Sequence, residues 1–136
     1  MFRITADTNV YISGLLFRGA SRHFLELARR GVFELAVSEA ILDEVVEVLQ
    51  RFGMPLQEAL ENRRAIEDFT KRVYPSRAIQ VISEDPDDDR ILECAVENVS
   101  DFIISYDKDL LRRQRYEGIP IVQVETFLKR GLNIGR

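Results

Sequence analysis

One cysteine, one histidine and no tryptophan occur in 136 residues. A lone Cys94 excludes an internal disulfide framework and a thiolate zinc cluster. A lone His23 excludes a histidine-centred hydrolase and a multi-histidine metal site, and both residues are expected to serve packing. No run approaches the roughly 18 continuous apolar residues of a membrane span. The opening MFRITAD has neither the charged start nor the apolar stretch of a secretory leader, so a cytoplasmic chain with no membrane association is expected. Lysine is scarce as well, with 3 Lys against 16 Arg, and the formal net charge of −4 argues against a generic nucleic-acid coat. With histidine and cysteine set aside, any catalysis runs on carboxylates.

Apolar residues make up 46% and charged residues 31%, the balance of one folded domain, here residues 1–136. No repeat or low-complexity linker interrupts it. Residues 2–6 alternate weakly and stop at Asp7-Thr8-Asn9, a strand followed by a turn or helix start. A mostly apolar stretch over 10–17 breaks at Arg18-Gly19-Ala20-Ser21. Helices are predicted over 21–30, 39–51 (capped by Ser38), 57–74, from the 84–89 acidic cluster to 98, 108–113 and 125–130. Strands are predicted over 33–37, 78–82, 102–105 and 120–124. Short apolar strands alternating with helices indicate an α/β fold: three layers, α/β/α, around a central, largely parallel sheet of about five strands. Function in such folds gathers at the carboxyl ends of strands, near the switch in strand order.

Three groups of acids stand out. Asp7 ends the first strand, where it either caps the next helix or points into the crevice above the sheet. Glu44 lies at the edge of an apolar helical stripe formed by Ile41, Leu42, Val45, Val46, Val48 and Leu49, while Glu39, Asp43, Glu47 and Gln50 occupy the other side. An acid on the margin of a buried face is costly unless its head reaches water or meets a cation. Glu84-Asp85-Pro86-Asp87-Asp88-Asp89 places five carboxylates in six residues at a helix start, where some complement the helix dipole. Asp107 follows a buried strand and repeats the geometry of Asp7. Oxygen-only ligands without His or Cys suit Mg²⁺ or Mn²⁺. Helical spacing aims Asp88 over the face of Ile91, Leu92 and Ala95, with Asp89 near its edge, Asp87 opposite, and Asp85 shaping the turn with Pro86.

Asp7-Thr8-Asn9-Val10, Ser38…Glu44, Asp85-Pro86-Asp87-Asp88-Asp89 leading into Ile91-Leu92, and Ser105-Tyr106-Asp107-Lys108-Asp109-Leu110-Leu111 together resemble PIN-domain nucleases. The resemblance runs from residue 2 to about 127 and is nearest to the toxins of toxin–antitoxin systems. It implies catalytic acids Asp7, Glu44, Asp88 and Asp107, with Asp7, Asp88 and Asp107 on the metal and Asn9, Ser105 and Asp89 in support. It further implies Mg²⁺- or Mn²⁺-dependent hydrolysis of single-stranded RNA, an antitoxin partner and a homodimer. Tyr106 departs from the family pattern, where a small or polar residue is common at this place.

Among the cations, Lys108, Arg112, Arg113 and Arg115 follow Asp107 directly and are candidates for holding substrate phosphates; the alternative is a solvated face. Arg18 and Arg22 are a second, weaker candidate pair. Arg29, Arg30, Arg63, Arg64, Lys71 and Arg72 read as solvated helix faces. Tyr11, Leu15, Leu16 and Phe17 read as core; if exposed, they would form an apolar surface for a partner. Two rival functions stand beside the nuclease. An aspartyl-phosphate phosphatase needs a second Asp two residues after Asp7, where this chain has Asn9. A non-catalytic domain of the same fold, binding RNA or protein, is the other.

Overall fold

The computed structural model describes residues 1–80 and 86–133. Its strands are β1 (Arg3–Ala6), β2 (Glu34–Val37), β3 (Lys71–Arg72), β4 (Phe102–Ile104), β5 (Arg115–Tyr116) and β6 (Ile119–Val122). Its helices are α1 (Thr8–Leu16), α2 (Ala20–Arg29), α3 (Glu39–Arg51), α4 (Leu56–Phe69), α5 (Pro86–Asn98), α6 (Lys108–Arg113) and α7 (Val124–Thr126), the last running into a π-helical turn over Phe127–Gly131. The strands form one sheet in the order β3-β2-β1-β4-β6-β5. All pairings are parallel except β5 with β6.

Strand alternation sends neighbouring residues to opposite faces of this sheet. Thr5 faces α5, where its hydroxyl lies 2.8 Å from that of Ser100 and contacts the Cys94 thiol. Ile4 pairs with Phe102 in register, and Phe102 packs on Phe127 of the π-helical turn, which in turn meets Phe24 of α2 and Phe33. Both faces are therefore covered, which accounts for the nearly continuous burial of the central strands. Close packing of α1 on α2 depends on Gly14, where a Cβ would come within 2.5 Å of Leu25 and 2.9 Å of the Ser21 carbonyl.

The mixed α/β, mostly parallel architecture agrees with the expectation, but the sheet has six strands where about five were expected. The predicted strand over 78–82 is absent at 78–80, and residues 81 and 82 lie outside the described residues, as do Glu84 and Asp85. The strand on this side is instead Lys71–Arg72, beside β2, so the helix predicted to 74 stops at Phe69. Tertiary ion pairing opposes helical continuation there. Arg72 reaches Glu39 at 2.7 Å and Glu67 at 2.5 Å, and Arg63 reaches Asp43 at 2.6 Å and also Glu39. Arg63 and Arg72 are thus an ion-pair network joining α3, α4 and β3 rather than solvated faces. Arg29 lies over the Phe69 ring at 5.3 Å. His23, expected to pack, is exposed; Cys94 is buried as expected. Tyr11 is core, Leu15 and Leu16 are half-buried, and Phe17 is exposed. No helix among the described residues is long and apolar enough to cross a membrane.

Candidate active site

The chain leaves β1 to build β2 on one side and returns to place β4 on the other, so strand order switches between β1 and β4. In open α/β sheets the crevice outside such a switch receives the ligand. Asp7 ends β1 and Asp107 follows β4 by three residues. Register holds them together, because the Asp7 N–H donates to the Ile104 carbonyl at 2.9 Å.

Asp7 is both a helix cap and a crevice acid. Its Oδ1 accepts the N–H groups of Asn9 at 2.8 Å and Val10 at 3.3 Å, which starts α1. Its Oδ2 accepts the Ser105 hydroxyl. Only 3% of Asp7 is exposed, and burial pushes its pKa up to about 6 despite these hydrogen bonds, with Asp107 nearby adding a smaller push. Asp107 is built the same way. Its Oδ1 accepts from the N–H groups of Asp109 at 2.8 Å and Leu110 at 3.2 Å, starting α6. The Ser105 Oγ also accepts the Asp107 N–H at 2.9 Å. One hydroxyl therefore fixes both strand-end acids.

Glu44 sits half-buried at the margin of the α3 apolar stripe, as its spacing predicts, and Thr8 donates to it at 2.5 Å. Asp88, 7% exposed, comes from the first turn of α5. Asp7, Thr8, Asn9, Glu44, Asp88, Ile91 and Asp107 line one small cleft. The expected quartet and Asn9 are thus brought together, and Ser105 lies buried against Asp7. Asp89 is buried too, but it is not among the residues lining the cleft, and Asp87 is exposed.

Two contributors escaped the sequence reading. Thr8 holds Glu44. Asp109 joins Asp88 and Asp107, one carboxylate oxygen of each lying within 4.8 Å of the other two. Its signal was present, because the second residue after a helix-capping Asp stands in the same turn as the cap. An oxygen-only donor set this close fits Mg²⁺ or Mn²⁺ and does not suit a metal that prefers nitrogen or sulfur.

The basic candidates Lys108, Arg112, Arg113 and Arg115 are all exposed, and none of them lines the cleft. Arg112 pairs with Asp109 at 3.0 Å. Arg22 instead turns its guanidinium onto the Gly14 and Leu15 carbonyls at 3.3 and 3.5 Å, near the end of α1. Tyr106 accepts from Ser21 at 3.4 Å and donates to Glu125 at 3.0 Å, tying the β4–α6 connection to α2 and α7. Residues 3–109 match the PIN domain family. No curated protein matches the chain.

Proposed function

The chain belongs to the PIN domain family, and from that premise we propose that it is a Mg²⁺- or Mn²⁺-dependent endoribonuclease acting on single-stranded RNA. The family's members are generally nucleases. The observation that carries the reading is the convergence of Asp7, Glu44, Asp88 and Asp107 on one cleft at the sheet's switch point, with Asp109 beside two of them. Asp88, Asp107 and Asp109 would hold the cation, and Asp7 lies against the same cleft. A divalent ion bound there supplies positive charge for the scissile phosphate and lowers the pKa of water.

The residues of the chain do the rest. Ser105 and the α1 N–H groups hold Asp7 ionised against the cost of burial. Thr8 orients Glu44 towards the cleft, where a carboxylate can take a proton from an attacking water. Lys108, Arg113 and Arg115 offer cationic groups to neighbouring phosphates. The products are a 5′-phosphate and a 3′-hydroxyl. An aspartyl-phosphate phosphatase is disfavoured because Asn9 occupies the position of its second acid.

Cleavage of a mixed RNA pool with Mg²⁺ or Mn²⁺, abolished by EDTA, tests the proposal. Binding of RNA without cleavage under both metals would favour the non-catalytic domain instead. The toxin role, an antitoxin partner and a homodimer are part of the same reading. A small reading frame directly upstream of the gene, and the mass of the protein in solution, test them.

A further inference from the structure

Arg112 and Asp109 form an ion pair at 3.0 Å on one face of α6. Asp109 is also one of three carboxylates whose oxygens lie within 4.8 Å of one another. Three anions at that spacing repel strongly unless positive charge is supplied, and Arg112 supplies some of it through Asp109. The guanidinium does so from the solvent side, with 74% of its side chain exposed. It therefore costs little to move, because an ion pair whose cation stands in water gains little from the pairing.

We propose that Arg112 is a metal-released phosphate ligand: it pairs with Asp109 while the carboxylates hold no cation, and turns to the substrate backbone once a divalent ion engages Asp109. The inference rests on the nuclease reading and adds an order of events to it. A cation and Arg112 compete for the same carboxylate, so Arg112 weakens metal binding to the protein alone. Once freed, the same planar fork is beside the cleft and matched to a phosphate. Arg112 thereby becomes available to RNA when the metal is in place. Arg115, on β5 and exposed, has no such tie to the acid cluster among its described contacts and serves RNA equally in either state.

The test measures Mn²⁺ affinity of the intact protein without RNA, by calorimetry in low-salt buffer, for wild type, Arg112→Gln and Arg115→Gln. Arg112→Gln is expected to bind Mn²⁺ about two- to fivefold more tightly, the scale of one exposed pair removed. Arg115→Gln controls for the loss of a nearby charge and should leave that affinity unchanged. Rapid-mixing anisotropy with single-stranded RNA in Mn²⁺, read before cleavage, should show weaker binding for both variants. Unchanged or weaker Mn²⁺ binding by Arg112→Gln, alongside intact metal-dependent cleavage by wild type, would overturn this inference and leave the nuclease reading standing. Equal tightening in both variants would also overturn it, reducing Arg112 to general charge. A wild-type protein that binds neither Mn²⁺ nor Mg²⁺, and cleaves no RNA with either, overturns the nuclease reading, and this inference with it.

Discussion

The Ser105 hydroxyl donates to Asp7 across two neighbouring parallel strands, and its oxygen accepts the Asp107 N–H at 2.9 Å. A single buried side chain thus sets the spacing of the two acids that end β1 and follow β4. Ser105→Ala removes both bonds. The Asp7 carboxylate, already raised by burial to about 6, should then rise further. Loss of a bond to a buried charged group should cost about 1–3 kcal/mol of stability above pH 6. Thermal unfolding of the two proteins at pH 7.5 in EDTA measures this, and equal midpoints would remove Ser105 from the account.

Asp7→Asn separates stability from activity. Burial raises the folded pKa of Asp7 from 3.8 to about 6, so between those values the folded chain holds a proton that the unfolded chain has released. Without a cation, stability contributed by this residue falls as pH rises through that window, by up to about 3 kcal/mol in all. Asparagine keeps the cap and the space but has no charge to bury. The variant should therefore be more stable than wild type at pH 7.5 in EDTA and lack this pH slope. Its cleavage rate should fall at least about a hundredfold. Chemical denaturation from pH 4 to 7 and a cleavage assay check both signs.

Asp88→Asn should abolish cleavage and weaken Mn²⁺ binding, because Asp88 lines the cleft and joins the carboxylate cluster. Asp89→Asn should retain most of the activity, since Asp89, though buried, is not among the residues lining the cleft. Cleavage rates in Mn²⁺ decide between them. The opposite ranking would reassign the α5 ligand.

Neutralising Arg113 and Arg115 together should weaken binding of every single-stranded RNA. It should also flatten the dependence of log affinity on log salt by up to about 0.7 per lost contact. An unchanged slope in filter-binding titrations would return these two to the solvated surface.

Asp109→Asn should weaken Mn²⁺ binding less than Asp107→Asn. Asp109 is the partly shared carboxylate of the three, already paired with Arg112, whereas Asp107 also shapes the cleft. Calorimetry on the two variants gives the order directly, and equal losses would make Asp109 a full ligand.

Local rules made the elements around the cleft readable in advance. Asp7 and Asp107 announced themselves as acids after short apolar strands, and helical spacing placed Glu44 at a stripe's margin and Asp88 over a buried face. These are short-range consequences of side-chain period and capping, which a chain carries residue by residue. Where distant segments compete, the sequence was silent. Charged Lys71–Arg72 has no strand signature, and it forms β3 because β2 offers a parallel edge while Glu39 and Glu67 take the Arg72 charge. The same holds for Arg63, two of whose partners, Asp43 and Glu39, lie 20 and 24 residues away. Asp7 could be read as a cap or as a crevice acid. Folding made it both, because strand register brought Ser105 to its second oxygen. Composition determined that the chemistry rests on carboxylates. Asp109 beside Asp107, with Arg112 one turn on, follows from the local α6 turn. That Asp7 and Asp107, a hundred positions apart, meet in one crevice was decided by the parallel pairing of β1 with β4, because strand register is a tertiary contact that no local pattern carries.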